Sequence, residues 1–255
     1  MAREAREAEQ KRKRRNRTIR NAAIAVAIFV IVLVAVNLLG SDKKKATVAV
    51  SPTSTTTKPT GIACNDSKPS TGTKQQNQKP PPLTIDPNKT YTATISTSCG
   101  DFDVALDAKN APKGTNNFVF LARQGFYDGL TFHRAAKNFV IQGGDPLGSG
   151  SGSPGYSNLI TELPKDGYPI GTLAYAKTGD APAGSAGSQF FVVTSNRPAS
   201  LEQKTNGSYQ YGVFGHIPDA KGIAIAKKLE SFAPASGDGT PTRPLYIYKV
   251  TITEK

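Results

Sequence analysis

The sequence predicts a mainly β fold, an antiparallel barrel over residues 90–255, preceded by one transmembrane helix and a disordered linker. Three observations lead there. Of 11 Phe and nine Tyr, only Phe29 precedes residue 90, so large core-forming rings are confined to the C-terminal part. That part reads as many short strands separated by Gly/Pro turns, with only two stretches of helical period. This pattern favours an antiparallel barrel over a βαβ sheet. Finally, Ala22 to Leu39 contains no charge and one polar residue, Asn37.

Residues 1–20 form a basic cytoplasmic tail with nine Lys/Arg against three acids. The 18 residues from Ala22 to Leu39 would cover about 27 Å as a helix, close to the hydrocarbon thickness of a bilayer. A cleavable signal peptide would have a shorter apolar core followed by a small-x-small site, and Asn37 to Lys43 offers none. Residues 21–39 are therefore expected to be a signal anchor. Nine basic residues before the span against three immediately after it place the N-terminus in the cytoplasm and the rest of the chain outside the cell membrane.

Residues 40–89 hold no aromatic residue and include Ser51-Pro52-Thr53-Ser54-Thr55-Thr56-Thr57 and Lys79-Pro80-Pro81-Pro82. Such a composition buries too little apolar surface to offset chain entropy, so a flexible stalk is expected. Cys64 and Cys99 both lie beyond the span, in what would be an oxidising compartment. A disulfide between them is the expectation, with two free thiols or bonds to other chains as alternatives. The net charge of +13 sits mostly in the tail and stalk, because residues 90–255 carry 15 basic against 13 acidic side chains. A basic nucleic-acid-binding domain is excluded on that ground. No partner of that kind is expected, and the chain is expected to be a monomer.

Within the domain, Tyr91 to Thr97 alternates strictly and Asp101 to Leu106 resumes the alternation after Cys99-Gly100, a β-hairpin pattern. Pro112 to Ala122 changes to a helical period. There Phe118, Leu121 and Ala122 share a face, Pro112 stands near the start and Gly125 lies just past the end. Further strands are expected at 130–134, 139–142, 172–175, 189–193, 213–216 and 246–252. Asp219 is placed to cap a second helix over 220–231, with Ile223, Ala226 and Leu229 facing inward.

Several chemistries find no support. Gly150-Ser151-Gly152-Ser153-Pro154-Gly155 fits G-x-G-x-x-G, but Pro154 lies inside it and no periodic helix follows. There is no G-x-S-x-G elbow and no Walker sequence, and nothing near His133 or His216 proposes a triad. Two Cys and two His without ligand spacing argue against a metal site. No cofactor is called for.

What remains is Phe132-His133-Arg134, then Phe139-Val140-Ile141-Gln142-Gly143-Gly144-Asp145, then Gly187-Ser188-Gln189-Phe190-Phe191-Val192, then Val213-Phe214-Gly215. One arginine and two glutamines stand among apolar and aromatic residues. In order and nearly in spacing, this set resembles the cyclophilin family of peptidyl-prolyl isomerases over residues 90–255. The resemblance implies an eight-stranded closed barrel capped by two helices. It implies that Arg134 is catalytic, donating a hydrogen bond to the proline nitrogen, with Gln142 and Gln189 positioning it and the substrate backbone. Phe132, Phe139, Val140, Phe191 and Leu201 would form the apolar part of the substrate site. Ala176 and Lys177 would lie along the peptide groove and Tyr211 at the pocket edge. The substrates would be Pro-containing segments of exported polypeptides.

The chain departs from the family pattern in places. Val140 replaces a frequent Met, Lys177 a common Asn, and Tyr211 a usual His. The chain has no Trp, which the family's cyclosporin-sensitive members usually carry at the pocket rim. The competing expectation is a binding module of the same fold that grips Pro-containing segments with little turnover.

Overall fold

Alternating strands pair antiparallel to build the domain. The computed structural model describes residues 62, 64–65, 67–71, 74–77, 79–156 and 159–255. Its strands are β1 (Tyr91–Thr97), β2 (Gly100–Leu106), β3 (Phe132–Ala136), β4 (Val140–Gly143), β5 (Leu159–Ile160), β6 (Thr172–Tyr175), β7 (Ser185–Ala186), β8 (Phe190–Val193), β9 (Val213–His216), β10 (Asp238–Gly239) and β11 (Ile247–Glu254). The helices are α1 (Pro112–Arg123), the single turn α2 (Ala199–Glu202) and α3 (Ala220–Glu230). The expected strands and both expected helices are present with ends shifted by at most two residues. The short elements β5, β7, β10 and α2 were not anticipated, because two to four residues are too few to display a period.

One sheet runs β10-β3-β4-β8-β6-β9-β2-β1-β11. It curls until its ends meet: Tyr246 bridges Thr131, the Ile247 N–H donates to the Leu130 carbonyl at 2.7 Å, and the Phe132 N–H donates to the Leu245 carbonyl at 2.9 Å. β10 only extends β3, so eight strands make the circuit.

In β1 the alternation turns Tyr91, Ala93 and Ile95 into the core and leaves the intervening residues partly exposed. Helix α1 packs against β9 and β11, and its Phe118 ring stacks on Tyr127 and Phe214, each with centroids 4.8 Å apart. Burying such a ring contributes roughly 2–3 kcal/mol. Ala111 has no side chain able to cap α1. The Glu162 carboxylate does so from a distance, accepting the Lys113 and Gly114 N–H groups at 3.0 and 3.1 Å and satisfying two donors at the positive end of the helix. Asp219 caps α3 by accepting the Gly222 N–H at 2.7 Å. Ala226 and Leu229 are buried and Ile223 partly so.

The stalk expectation changes where described residues of 62–89 meet the barrel. Cys64 is bonded to Cys99. The buried Asn116 side chain accepts the Thr84 N–H at 2.9 Å and donates to the Pro82 carbonyl at 2.9 Å, and Ile85 is 7 % exposed. Lys74 donates to the Gly125 and Asp128 carbonyls, and the Asn77 N–H donates to the Pro154 carbonyl at 2.7 Å. The composition carries little apolar surface, yet a strap needs only local partners, and the barrel's loops supply them. The predicted tail 1–20, the anchor 21–39 and the first part of the stalk lie outside the described residues. Among the described residues no helix is long and apolar enough to cross a membrane.

Candidate active site

Strand alternation divides the barrel's side chains between two clusters. Ile141, Leu173, Phe190 and Val192 enter the main core. Their neighbours Val140, Ala174, Phe191 and Val193 point the other way and, with Tyr168 and Leu201, form a second, smaller cluster. Phe139, Val140, Phe191 and Leu201 wall a cavity of about 140 Å³, with Arg134, Gln142, Ala176, Lys177 and Tyr211 completing its lining. That volume is below the usual range for small-molecule pockets and suits a single side chain. The Phe191 and Tyr211 rings meet edge to face at 5.4 Å. Tyr211 is held in turn by the buried Tyr168, whose hydroxyl accepts the Tyr211 N–H at 2.8 Å and donates to its carbonyl at 2.9 Å.

A bulge decides where the arginine points. In the β3–β4 pairing Phe132 faces Gly143 and Arg134 faces Gln142, so His133 is the extra residue. Bulges re-aim side chains in this way. Phe132 turns into the core and Arg134 turns out to the cavity, directly across from Gln142. The Arg134 Nη1 donates to Gln142 Oε1 at 3.0 Å. On the other edge, Nε and Nη2 donate to the two oxygens of Asp238, each at 2.7 Å. Hydrogen bonding to this guanidinium holds the Asp238 carboxyl below its ordinary pKa against a smaller effect of burial. The Arg134 guanidinium carbon lies 5.8 Å from the Phe139 ring centroid.

The network continues away from the cavity. Gln142 Nε2 donates to Gln189 Oε1 at 3.1 Å, and Gln189 Nε2 donates to the Gly150 and Gly152 carbonyls, each at 2.9 Å. These carbonyls belong to the glycine-rich loop, which Asp145 shapes by accepting the Leu147 and Ser149 N–H groups at 2.8 and 2.9 Å and that of Gly150. Burial alone would raise the Asp145 pKa, but backbone donors outweigh it and hold the carboxyl below its ordinary value. The G-x-G-x-x-G match is thus a wall and anchor of this site. Together with Gln189 and Lys177 it lines an adjoining groove of about 400 Å³. His133, beneath this loop, has no hydrogen-bond partner on either ring nitrogen among the described residues. Burial lowers its pKa; Asp145 opposes the shift and Arg134 reinforces it.

A cavity of single-side-chain size with a clamped arginine at its edge suits a reaction that needs a fixed donor. Among the described residues no cluster of three or more His, Cys, Asp or Glu could hold a metal ion. The family model described as cyclophilin type peptidyl-prolyl cis-trans isomerase/CLD matches residues 92–252, more than half of the chain. The chain belongs to the cyclophilin-type peptidyl-prolyl cis-trans isomerases.

Peptidyl-prolyl cis-trans isomerase A of Mycobacterium tuberculosis is 36% identical to this isomerase over 190 residues, covering 67% of this chain and 97% of that protein. The peptidyl-prolyl cis-trans isomerase of Helicobacter pylori is 37% identical over 144 residues, covering 56% and 82%. Among solved structures, a cyclophilin-type isomerase of Cryptosporidium parvum superposes with a TM-score of 0.54 at 27% identity, over 64% of this chain and 98% of that one. That protein has also been solved in the presence of the dipeptide Ala-Pro.

The isomerase brings nine of the eleven expected site residues to one cavity. Phe132 is not among them. It is 1 % exposed and packs edge to face on Phe190 in the main core, because the bulge at His133 puts it on the opposite face from Arg134. Gln189 lines the adjoining groove and reaches Arg134 through Gln142. Lys177 does not point its charge into the cavity. Its ammonium donates to the Thr178 and Ala181 carbonyls and lies 5.6 Å from the Tyr211 ring centroid. Asp238 and Tyr168 were missed. In sequence, Asp238 stands in Ser236-Gly237-Asp238-Gly239 and reads as a turn residue, and Tyr168 is isolated between loops.

Proposed function

We propose that this isomerase twists X–Pro bonds in exported polypeptides on the outer side of the cytoplasmic membrane, with Arg134 as the donor that lowers the barrier. Amide resonance opposes rotation by roughly 18–20 kcal/mol, and unaided X–Pro bonds take tens of seconds or more to turn over. Twisting localises the lone pair on the proline nitrogen and makes it an acceptor, which it is not in the planar state. A donor placed there binds the transition state better than either ground state.

The observation that carries this reading is the clamped guanidinium at the rim of the cavity walled by Phe139, Val140, Phe191 and Leu201. Of five N–H bonds, three are used on Asp238 and Gln142, leaving one on each terminal nitrogen. The proline ring would occupy the cavity against Phe191, Phe139, Val140 and Leu201, and the polypeptide would run past Ala176 and Lys177 into the groove beside Gln189. Arg134→Ala in the whole chain is expected to lower kcat/KM in a coupled isomerisation assay by about 10²-fold or more, with little change in affinity for a Pro peptide. A folded variant as fast as the parent would replace the enzyme reading with that of a binding module.

Location rests on other features. The uncharged run Ala22–Leu39 with its basic flank supports a single-pass anchor with the isomerase domain outside. The Cys64–Cys99 bridge supports the same side, since cytosolic thiols are kept reduced. Protease added to intact cells should release the domain and leave residues 1–40 in the membrane. A domain cleaved only after lysis would reverse the topology.

A further inference from the structure

The two-residue strand β10 adds little to the barrel, which makes its circuit without it. Asp238 pairs with Ala136 and Gly239 with Ala135, so β10 lies along the end of β3 beside Arg134. Gly237 at φ 88° and Gly239 at φ 145° flank the aspartate in conformations that residues with side chains rarely adopt. This backbone presents the carboxylate side-on to Nε and Nη2 of Arg134, both at 2.7 Å. Such a fork fixes the plane of a guanidinium as well as its position.

Stability does not account for the pair. Its side chains are 34% and 50% exposed, and ion pairs that open to water contribute little to folding. Its geometric effect is larger. With the fork, Arg134 is held on two edges, by Asp238 and by Gln142. Without it, Gln142 Oε1 is the one remaining hydrogen-bond partner among the described residues, and a single hydrogen bond beside the Phe139 ring contact fixes the guanidinium less firmly than the fork.

We propose that Asp238 is a positioning residue for the isomerase reaction. It clamps the Arg134 guanidinium so that the two remaining N–H bonds stay at the edge of the proline cavity throughout the twist. The inference rests on Arg134 as the donor and extends it to a residue outside the motifs that mark the site. Asp238 itself touches no substrate, so its loss lowers turnover without loosening the grip on proline.

Four forms of the whole chain separate the possibilities: parent, Arg134→Ala, Asp238→Asn and the double variant. Each is assayed for kcat/KM and for affinity toward a Pro peptide. Asp238→Asn should lower kcat/KM by about 10- to 100-fold, the scale for misplacing a preorganised group, with peptide affinity nearly unchanged. In the Arg134→Ala background the same substitution should change nothing further. If Asp238→Asn is as fast as the parent while Arg134→Ala is slow, the positioning role is overturned and the donor reading stands. If Asp238→Asn slows the Arg134→Ala chain by the same factor as the parent, its effect is structural and the inference is overturned. If Arg134→Ala itself keeps the parent rate, the donor reading fails and takes this inference with it.

Discussion

Opening the Cys64–Cys99 bond tests whether the N-terminal strap is part of the folded domain. The cross-link joins residues 35 apart, and releasing a loop of that length costs about 4 kcal/mol through the entropy of the denatured chain. The full cost is expressed only if the strap stays docked in the reduced native state. The structure supplies reasons for it to stay. Cys99 is 1 % exposed and Cys64 packs on the core edge, while Asn116, Lys74 and Asn77 tie the following residues at separate points. Cys64→Ala with Cys99→Ala, or full reduction of the parent, should therefore lower the urea midpoint by about 1.3–2 M, taking a slope of about 2–3 kcal/mol per M. The chain has no Trp and nine Tyr, so tyrosine emission and far-ultraviolet circular dichroism are the probes. An unchanged midpoint after complete reduction would mean that the strap frays when the bond opens, and the loop-closure reasoning would fail.

Phe191→Ala should weaken Pro-peptide binding as well as turnover, because the ring is one wall of the cavity. The loss is about 1.5–3 kcal/mol, tenfold or more in Kd by calorimetry, and an unchanged Kd would remove Phe191 from the substrate site. His133 gives a pH signature. Burial lowers its pKa in the fold from 6.5, so the unfolded chain takes up the proton first. Its contribution to stability is complete above that value and is lost as pH falls through it toward the lowered native value. The Asp145 carboxyl, also lowered, acts at and below its ordinary 3.8, outside that window. His133→Gln should flatten the stability curve as pH falls below 6.5 in urea titrations; a curve as steep as the parent's would refute the assignment.

The members of the site on strand β3, strand β4 and strand β8 were legible because each lies within a short run of adjacent residues: Phe132-His133-Arg134, Phe139 to Asp145 and Gly187 to Val192. Within such a run, period-two alternation also tells which residues share a face. That rule failed at Phe132, where a bulge inserts His133 and reverses the face on one side of it. A bulge arises from pairing with another strand, so no local pattern announces it.

The sequence by itself determined the sites of the main strands and helices and, through the short runs that carry the family resemblance, the candidate arginine. All of these follow from composition, periodicity or short motifs, which are local properties. Tertiary structure alone decided what holds that arginine. Asp238 lies 104 residues away and meets Arg134 because β10 pairs with the end of β3. Tyr168 reaches Tyr211 across 43 residues, and the described residues of 64–85, which read as a stalk, find their partners on α1 and the barrel loops. Hydrogen bonds between distant segments depend on where the fold brings polar groups together, and a residue's own neighbours in sequence carry no record of that.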